Sequence, residues 1–349
     1  MTENKTYNIC ILPGDGIGPE VIEEAVRVLK TLENNSDGSL RFNLIYGDIG
    51  YDCYKKCGEG LPAETIEKVE KADAALFGAV TTPPNIPNYS SPILRLRQHF
   101  DLYVNLRPCQ SFPTELSRKG IDMIVVRENT EGLYSRSERV EREGNNENGK
   151  IVKAITERII TRKGSERIIR YAFELARKRE RKELTLVHKG NVLRETCGLF
   201  REVALEVSKD YPDIKMLEML VDACAMQLIR KPEEFNVIVT TNLFGDILSD
   251  EASMLVGGLG LAYSGNIGKD TAVFEAVHGS APKYVGTHKI NPIATILSAK
   301  LMLEHIGLFD EAKRLHNSVI KVIAGGMTTP DLGGSLTTQQ VTDAIIENL

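Results

Sequence analysis

The stretch "ILPGDGIGPEVIEEAV", Ile11–Val26, combines an apolar run, a glycine cluster and a helical pattern. A dinucleotide-binding fingerprint requires glycines at the first, third and sixth positions of G-x-G-x-x-G. Gly14 and Gly16 satisfy the first two positions, but the sixth is Pro19. Proline suits the first turn of a helix, because the N–H that it lacks has no partner there. The stretch therefore predicts a strand, a tight glycine turn and a helix, without the phosphate cradle of a Rossmann fold.

The size and charge of the chain limit its class. Its 349 residues suffice for two domains and a substantial core. The net charge of −5 does not favour nucleic acid or a membrane surface as a partner. No apolar run approaches the roughly 20 residues of a membrane helix, and the N-terminus "MTENKTYNIC" lacks the apolar core of a secretory signal. We therefore expect a cytoplasmic protein with no nucleic-acid or membrane partner.

The cysteines are scattered along the chain, and no pair has the spacing of a zinc site. Cys53 and Cys57 are one helical turn apart and do not form a C-x-x-C motif. Scattered cysteines in a chain without a secretory signal are typical of reduced thiols in a cytoplasmic protein. We expect all of them to be free and buried or half-buried.

Apolar runs and helical periods alternate along the chain. The apolar runs predict strands at Tyr7–Leu12, Ala74–Phe77, Met123–Val126, Leu184–Val187 and Val237–Thr241. The helical periods predict helices at Glu20–Leu32, Ala63–Lys71, Ser165–Arg179, Glu195–Lys209 and Pro292–Ile306. Such alternation is typical of an α/β architecture with a largely parallel sheet.

One segment, "SERVEREGNNENGK" at Ser137–Lys150, is highly charged and has a Gly/Asn cluster that marks a turn. Two interpretations remain open. The segment is either a solvated loop or a hairpin arm that protrudes from the body of the protein.

Three arginines could bind an anionic ligand. Arg107 and Arg127 each follow a strand-like apolar run, and Arg97 lies in "LRLRQHF". A buried arginine is costly unless it is paired, and its guanidinium binds a carboxylate through two hydrogen bonds. The three together favour a di- or tricarboxylate ligand. Alternatively, each pairs with a structural Asp or Glu.

Three aspartates could hold a divalent cation. In "NLFGDILSDEAS", Asp246 and Asp250 are four residues apart, which places both carboxylates on one face of a helix. Asp222, at the end of another strand, could supply a third carboxylate. Ligands with only oxygen donors suit Mg²⁺ or Mn²⁺. Alternatively, Asp246 is an N-cap residue where its helix begins.

Two further segments follow strands. Lys189 and Asn191 come after Leu184–Val187, where α/β proteins place ligands, and a desolvated lysine can act as a base. The segment "HGSA", His278–Ala281, is a loop of small residues that lets backbone N–H groups approach a phosphate or an adenine closely. Alternatively, this loop is an ordinary turn.

Taken together, these motifs are more specific than any one of them. The chain contains, in this order, "PGDGIGPE", "LRQHFDLYVNLRP", "VVRENTEGLYS", "VHKGNV", "TTNLFGDILSDEAS", "FEAVHGSAP" and "TPDLGG". In these motifs the sequence resembles the β-decarboxylating dehydrogenase family, which includes isocitrate, 3-isopropylmalate, homoisocitrate and tartrate dehydrogenases. The resemblance covers essentially the whole chain.

The resemblance implies an isopropylmalate dehydrogenase-like two-domain α/β fold, distinct from the Rossmann fold, with a parallel or mixed sheet flanked by helices. It assigns residues 1–100 and 255–349 to a large cofactor-binding domain. It assigns residues 101–254 to a small domain for dimerisation, including a clasp arm at about 133–160. It further implies a homodimer, or a higher oligomer built from it, whose active sites lie between the domains and are completed by the second subunit.

The resemblance also implies a role for each motif residue. Tyr134 matches the tyrosine that protonates the enol after CO₂ leaves, and Lys189 matches the catalytic lysine that is given across the dimer. The implied substrate-binding residues are Ser91, Arg97, Arg107, Arg127 and Asn191. The implied metal ligands are Asp222, Asp246 and Asp250, with Asp222 coming from the partner subunit. The implied cofactor contacts are Thr81, Thr82, Glu275, His278, Gly279, Ser280, Ala281, Lys283, Tyr284, Asn291 and Asp331.

The implied reaction is a metal-dependent, NAD(P)-linked oxidative decarboxylation of a 2-hydroxy acid with a β-carboxylate. In the reaction that the resemblance implies, an Mg²⁺ or Mn²⁺ ion would bind the substrate hydroxyl and α-carboxylate, the nicotinamide would accept hydride from C2, and the β-keto acid would lose CO₂.

The motifs leave the substrate open among three small anions. "VHKGN", "HGSAPKY" and the ending "DAIIENL" look like isocitrate dehydrogenases, which favours conversion of isocitrate to 2-oxoglutarate. In the helix "SSPILRLR", Ser91 matches the isocitrate type, whereas Ile93 stands where those enzymes carry asparagine. Ile93 and Leu94 fit the isopropyl group of 3-isopropylmalate, and the same helix resembles archaeal-type homoisocitrate dehydrogenases.

For the cofactor, Lys283 and Tyr284 resemble the pair that meets the 2′-phosphate of NADP, where NAD-dependent members usually carry Asp-Ile. We expect NADP, with NAD as the alternative.

Two functions of other classes stay open. One is a non-catalytic regulatory subunit of the same fold, which predicts decay of the catalytic residues. The other is a generic α/β nucleotide-binding protein.

Overall fold

The computed structural model describes residues 5–83, 86, 89–135, 137–145 and 149–349. Its strands are β1 (Lys5–Gly14), β2 (Leu40–Tyr46), β3 (Ala74–Ala79), β4 (Val104–Gln110), β5 (Asp122–Glu128), β6 (Glu138–Arg142), β7 (Ile151–Thr156), β8 (Glu183–His188), β9 (Lys215–Leu220), β10 (Val237–Thr240), β11 (Tyr263–Ile267) and β12 (Ala272–Ala276). Its α-helices are α1 (Gly18–Asn34), α2 (Tyr51–Cys57), α3 (Ala63–Glu70), α4 (Pro92–His99), α5 (Arg162–Lys178), α6 (Arg194–Val207), α7 (Val221–Arg230), α8 (Asn242–Met254), α9 (Ile293–His305), α10 (Phe309–Ala324) and α11 (Thr338–Glu347). Every strand and helix predicted from the sequence coincides with or overlaps one of these elements, and the predicted α/β class is confirmed.

The chain divides into two compact units. The first unit comprises Met1–Asp122 and Ala252–Leu349, and the second comprises Met123–Glu251. The predicted division assigned residues 101–122 to the smaller domain, but they belong to the first unit. The reason is that β4 pairs antiparallel with β11, which is a strand of that unit. The assignment of cofactor binding and dimerisation to these parts stays a prediction.

The sheet of the first unit has the strand order β2-β1-β3-β12-β11-β4. Strands β1, β2, β3 and β12 are parallel to one another, whereas β11 runs antiparallel to both of its neighbours. Because β3 and β12 are parallel neighbours, the segments that follow them leave the same edge of the sheet. These segments carry Thr81, Thr82 and the His278–Ala281 loop.

Helix α9 packs against β3, β11 and β12. From Ile293 to Leu303, every residue except Lys300 is buried. A helix that is apolar all round belongs in the core of a protein or in a membrane. At 13 residues, α9 is a core helix, and no helix in the described part of the chain is long and apolar enough to cross a membrane.

The glycine turn between β1 and α1 folds as the sequence predicts, with Pro19 in the first turn of the helix. Gly16 has a φ of +62°, and a Cβ at this position would lie 2.1 Å from the carbonyl oxygen of Ser280. The N–H of Ile17 donates to that same oxygen at 3.0 Å. The turn is therefore filled by backbone of this chain and does not form a phosphate cradle.

The sheet of the second unit has the order β5-β10-β8-β9, and all of its strands are parallel. Helices α5 and α6 pack on it. The carboxyl ends of these strands lie at one edge. Arg127 is near the end of β5, Lys189 directly follows β8, and Asp222 follows β9 by two residues. The topology thus places three predicted site residues at the same edge.

The charged segment Ser137–Lys150 contributes to a hairpin, so the predicted hairpin is confirmed and the loop interpretation is wrong, while its protrusion from the body stays a prediction. Strands β6 and β7 pair antiparallel in a separate two-stranded sheet. Cross-strand ion pairs such as Lys153–Glu141 at 3.0 Å join its two strands, while the apolar Val140 remains exposed. Residues 146–148 lie outside the described residues.

The cysteines are free thiols, as predicted, but one expectation about them is wrong. Cys57 is exposed, whereas the others are buried. Cys57 is the last residue of the short helix α2, directly before Gly58 in a left-handed conformation, which leaves its side chain at the surface. Its Sγ lies 3.6 Å from that of Cys53.

Candidate active site

The first unit contains a cavity of about 180 Å³ at the carboxyl edge of its sheet. Helix α4 begins directly after Ser91, and Ile93 and Arg97 lie four residues apart on one face of it. All three line the cavity, together with Arg107 from β4 and Glu275 from β12. The wall therefore combines guanidinium and hydroxyl groups with an apolar side chain.

Arg97 forms an ion pair with Glu275 at 3.0 Å, and each side chain is only 11% exposed. The Nε atom of Arg97 is buried, and it has no hydrogen-bond partner among the described residues. A buried donor without a partner is costly unless a ligand or water satisfies it. This guanidinium is therefore suited to an anionic ligand in the cavity.

The predicted cofactor residues Thr81 and Ser280 lie together. Their hydroxyl oxygens are 2.7 Å apart, and the N–H of Thr81 donates to the buried carboxylate of Asp15 at 2.8 Å. Thr82 is exposed and lines the same cavity as Arg97. The geometry brings the start of the β3–α4 segment against the loop that follows β12.

In that loop, His278 faces the carbonyl oxygen of Gly279 at 3.1 Å through its Nδ1 atom. Burial lowers the pKa of His278, so its imidazole is neutral at neutral pH. Ala281 has a φ of +37° and leads into a short 3₁₀ turn that leaves Lys283 and Tyr284 exposed. A cationic and an aromatic side chain are thus available beside the small-residue loop.

The remaining predicted cofactor residues, Asn291 and Asp331, are hydrogen-bonded to each other in the first unit. The Nδ2 atom of Asn291 donates to Asp331 at 3.0 Å. Its Oδ1 atom accepts the N–H of Ile293, the first residue of α9, at 3.0 Å, which satisfies one of the N–H groups that the helix itself leaves without a partner. Asn291 therefore has a structural task in addition to its predicted one.

In the second unit, Arg127, Tyr134 and Asp246 meet. Arg127 is almost fully buried, and its Nη1 atom lies 2.5 Å from a carboxylate oxygen of Asp246. The hydroxyl of Tyr134 donates to the other oxygen at 2.6 Å. Burial and then the hydrogen bond to this carboxylate raise the pKa of Tyr134, so the phenol stays protonated at neutral pH. A predicted proton donor, an arginine and a metal ligand therefore form one cluster.

Arg127 is further fixed by Asn242, whose Oδ1 atom accepts from Nε at 3.0 Å and from Nη2 at 2.7 Å. Arg97 and Arg127 thus do pair with acidic residues, as the alternative interpretation predicts. The acids concerned, Glu275 and Asp246, are themselves predicted site residues. Pairing therefore does not separate these arginines from the site.

Lys189 and Asp222 form a second cluster of this unit. The Nζ atom of Lys189 lies 2.6 Å from a carboxylate oxygen of Asp222, whose side chain is 61% exposed. The hydrogen bond from Lys189 lowers the pKa of Asp222, which is therefore ionised at neutral pH. Asn191 lies two residues beyond Lys189 and is exposed.

Asp246 is the fifth residue of α8 and Asp250 lies one turn later, so the N-cap interpretation of Asp246 is wrong. Within the described ranges of this single chain, no three acidic, histidine or cysteine side chains converge on one point. The donors of Asp222, Asp246 and Asp250 are all carboxylate oxygens, which fit Mg²⁺ or Mn²⁺ in chemistry.

Residues 8–345 match the sequence profile of the family described as isocitrate/isopropylmalate dehydrogenase. The chain belongs to this family. It is 48% identical to homoisocitrate dehydrogenase of Methanocaldococcus jannaschii, over 97% of this chain and 96% of the relative. It is 47% identical to isocitrate/homoisocitrate dehydrogenase of Thermus thermophilus, over 98% of each. It is also similar to the crystal structure of isocitrate dehydrogenase from Methylococcus capsulatus, with a TM-score of 0.92 and 43% identity over 98% of this chain and 99% of that one.

The predicted resemblance to β-decarboxylating dehydrogenases is therefore confirmed over residues 8–345, and the predicted non-Rossmann fold is confirmed as well. The prediction that the protein is an enzyme of this class is confirmed at the level of the family. The generic nucleotide-binding protein is excluded as an alternative, because the match extends over nearly all of this dehydrogenase.

Sequence reasoning missed two buried acidic residues, Asp15 and Glu128, that fix segments next to predicted site residues. Asp15 is buried, and its carboxylate accepts the N–H groups of Tyr51, Asp52 and Thr81 at 2.7 to 2.8 Å. It joins the start of α2 to the β3–α4 segment. The only signal in the sequence was the position of Asp15 between Gly14 and Gly16, in a tight turn where a charged side chain needs a specific partner.

Glu128 was missed for a similar reason. It directly follows Arg127, and its carboxylate accepts the N–H groups of Thr130 and Glu131 at 2.8 to 3.1 Å. Burial raises the pKa of Glu128 although these bonds favour its ionised form. The residue closes the turn that leads from β5 to Tyr134, and its position within "VVRENTEG" was the only sequence signal.

Proposed function

We propose that this dehydrogenase catalyses the metal-dependent, NAD(P)-linked oxidative decarboxylation of a 2-hydroxy tricarboxylate. Homoisocitrate is the first candidate, and isocitrate, with 2-oxoglutarate as its product, is the second. The names of the relatives from M. jannaschii and T. thermophilus support this order, since the first names homoisocitrate and the second names both substrates.

The composition of the cavity in the first unit carries the proposal. Ser91 offers a hydroxyl to a terminal carboxylate, while Ile93 offers an apolar surface on the same helix. Homoisocitrate has one methylene more than isocitrate, and burial of a methylene contributes about 0.8 kcal/mol. In homoisocitrate the terminal carboxylate follows two methylenes. Ile93 can contact these methylenes while Ser91 binds the carboxylate.

The substrate carboxylates are held by guanidinium groups. Arg97 and Arg107 face the cavity of the first unit, and the buried Nε of Arg97 is available to an anion. Arg127, whose orientation Asn242 fixes through Nε and Nη2, would contribute the third guanidinium. Hydrogen bonds between guanidinium and carboxylate are charge-assisted and geometrically specific, which orients the carbon that reacts.

The two proton transfers fall to residues of the second unit. The proton of the substrate hydroxyl passes to the Asp222 carboxylate, or to Lys189 when its amine is neutral, as hydride leaves C2. The bond between the β-carbon and its carboxylate then breaks and CO₂ departs. Tyr134, protonated because of its raised pKa, delivers a proton to the carbon that carried the carboxylate.

Two bound groups complete the proposal. An Mg²⁺ or Mn²⁺ ion held by Asp222, Asp246 and Asp250 would polarise the substrate hydroxyl and carboxylate and favour the negative charge that develops on oxygen. A nicotinamide cofactor, when bound, supplies the hydride acceptor. We place NADP before NAD, because the exposed Lys283 beside Tyr284 can bind a 2′-phosphate.

The proposal includes a homodimer in which Lys189 and Asp222 of one subunit complete the site of the other. Helix α7 exposes 66% of Met226 and helix α8 exposes 57% of Ile247. Large apolar side chains that are exposed on two helices of one unit favour an interface with another protein surface. The absence of a three-ligand cluster among the described residues of one chain supports the need for a second subunit.

A cytoplasmic location belongs to the same proposal. It is supported by the free thiols of this chain, because an oxidising compartment favours disulfides. Fractionation with a compartment marker tests it.

Initial rates test the proposed function. Purified protein is assayed with Mg²⁺, with NADP or NAD, and with homoisocitrate, isocitrate or 3-isopropylmalate. The proposal expects kcat/KM for a tricarboxylate to exceed that for 3-isopropylmalate by about tenfold or more, since a carboxylate-binding site left unpaired loses more than 1.4 kcal/mol. Binding of these substrates without turnover would instead support a non-catalytic subunit.

The second candidate function, oxidation of 3-isopropylmalate, is favoured by Ile93 together with Val80, which also lines the cavity. An isopropyl group would contact both apolar side chains and leave Ser91 without a substrate partner. A preference for 3-isopropylmalate in the assay would select this alternative and would contradict the tricarboxylate proposal.

A further inference from the structure

A continuous chain of hydrogen bonds joins two of the arginines that line the cavity. Nε of Arg107 donates to Oδ1 of Asn105 at 2.7 Å, and Nδ2 of Asn105 donates to Oδ1 of Asn266 at 3.1 Å. Nδ2 of Asn266 donates to Oε1 of Glu275 at 2.6 Å. Nη2 of Arg97 donates to the same oxygen at 3.0 Å. We call Asn105 and Asn266 the amide relay.

The ends of this chain determine the orientation of both amides. A guanidinium only donates hydrogen bonds and a carboxylate only accepts them. Starting from Arg107, Asn105 must therefore present its oxygen to the guanidinium and its nitrogen to Asn266. Starting from Glu275, Asn266 must present its nitrogen to the carboxylate. A flip of either amide would set donor against donor or acceptor against acceptor.

The strand register holds the relay in place. Asn105 in β4 and Asn266 in β11 are cross-strand partners in the antiparallel ladder. The side chain of Asn266 also donates to the backbone oxygen of Val273 in β12 at 3.3 Å. Both relay residues have no exposed surface at all. A buried amide that loses a hydrogen-bond partner cannot replace it with water. We therefore expect the loss of one relay bond to disturb the others.

The relay reaches the ligand-facing groups only through its ends. Arg97, Arg107 and Glu275 line the cavity, whereas Asn105 and Asn266 do not. Arg107 and Asn105 are two residues apart on β4, so their side chains leave the same face of the strand. The positions of two guanidinium groups relative to each other are therefore set by side chains that no ligand touches.

We propose that Asn105 and Asn266 are positioning residues, which fix the separation of the Arg97 and Arg107 guanidiniums for a substrate with several carboxylates. This inference rests on the proposed function, in which these arginines bind the substrate carboxylates. A ligand that bridges both arginines loses affinity when either link is broken, because the relay then no longer sets the separation of the two guanidiniums. Breaking the second link adds little, since the connection is already lost.

A double-mutant cycle tests this prediction. Asn105→Ala, Asn266→Ala and the double variant are assayed with homoisocitrate and Mg²⁺, and homoisocitrate binding to each is titrated by calorimetry without cofactor. We expect each single variant to raise KM and the dissociation constant about tenfold while kcat changes less than about threefold. We expect the double variant to match the more affected single variant within about twofold.

Independent packing defects would give a different pattern. In that case the effects on KM would multiply to about a hundredfold in the double variant, which would overturn the proposal. An unchanged KM in the single variants would overturn it as well. If an alanine variant fails to fold, Asn105→Ser, Asn266→Ser and their double variant carry the same test, because serine keeps a polar atom in the strand.

Asn236 supplies a matched control. It is a buried asparagine of the second unit, and its side chain bonds Arg179 and the backbone oxygens of Arg181 and Glu183. Asn236→Ala should lower the melting temperature without a change in KM. If the wild-type protein neither binds nor oxidises any of the three hydroxy acids, the proposed function fails. If the wild-type protein binds and oxidises one of these acids but the relay variants have the same KM as the wild type, the relay proposal alone fails.

Discussion

Tyr134 donates its hydroxyl hydrogen to Asp246, with 2.6 Å between the two oxygens. Asp246 also accepts from Arg127 through its other carboxylate oxygen. The proposed proton donor and a proposed metal ligand are therefore bonded directly to each other. The raised pKa of Tyr134 follows from its burial and from this carboxylate, and it keeps the phenol protonated through the neutral range.

Removal of this hydroxyl tests its role in protonation. Tyr134→Phe should lower kcat by about 10² to 10⁴-fold, which is the usual contribution of a general acid, with a smaller change in KM. Because the pKa lies above its ordinary value of 10.0, this group should cause no alkaline loss of kcat below that pH in the wild-type protein. The exposed Tyr46 provides the control, since Tyr46→Phe should leave kcat unchanged. A wild-type kcat in Tyr134→Phe would remove the tyrosine from the mechanism.

Two glycine-to-alanine changes, one in the turn between β1 and α1 and one inside α6, should have opposite effects on stability. Gly16→Ala should lower the free energy of unfolding by about 2 kcal/mol or more, because its φ of +62° is strained for alanine and the added Cβ meets the Ser280 carbonyl. Gly198, inside α6, has nothing within 4 Å of an added Cβ. Gly198→Ala should therefore stabilise by about 0.4 to 1 kcal/mol. Urea denaturation measures both, and equal effects would contradict the packing described for the turn.

The cofactor preference depends on the exposed pair Lys283 and Tyr284. Replacement of both, Lys283→Asp with Tyr284→Ile, should shift the ratio of kcat/KM for NADP over NAD about tenfold or more toward NAD. The lost charge-assisted hydrogen bond is worth about 1.5 to 3 kcal/mol, and an aspartate would repel the phosphate. Steady-state kinetics with both cofactors measure the ratio. Lys289→Asp, at an exposed lysine of the same segment, serves as the control and should leave the ratio unchanged. An unchanged ratio in the double variant would remove Lys283 and Tyr284 from cofactor selection.

The proposed dimer predicts that charges on α7 and α8 dissociate it. Met226→Glu with Ile247→Glu would bury two unpaired carboxylates in an apolar interface, which costs several kcal/mol. We expect a monomer by light scattering and a loss of activity, since Lys189 and Asp222 would no longer reach a second subunit. Phe309→Glu is the matched control, because Phe309 is 67% exposed in the first unit. A dimer that survives both substitutions would place the interface elsewhere.

Local sequence patterns were sufficient for the strands and helices with clear periodicity. The run at Leu184–Val187 is apolar except for Thr185, and every residue of it is buried in β8, which lies between β10 and β9 in the sheet. Strand β11 was not predicted, since "YSGNI" contains glycine, serine and asparagine, which disfavour strands in isolation. It forms because β12 and β4 pair with it on both sides. Tertiary pairing decided that element.

The candidate site divides in the same way. Residues such as Arg127 and Asp246 could be predicted because charged groups at strand ends and at helical spacing suggest ligands. The amide relay could not, because it depends on Asn105 and Asn266 being cross-strand partners, and no local pattern contains that register. The pairing of Lys189 with Asp222 depends likewise on the adjacent parallel strands β8 and β9.

The stoichiometry of the reaction tests the central claim most directly. Homoisocitrate and NADP are incubated with the wild-type protein and Mg²⁺, and NADPH and CO₂ are measured in the same sample before and after EDTA. The account predicts one CO₂ for each NADPH, loss of both after EDTA, and recovery of both when Mg²⁺ is restored. NADPH without CO₂, or equal rates with and without the chelator for every hydroxy acid tried, would contradict metal-dependent oxidative decarboxylation.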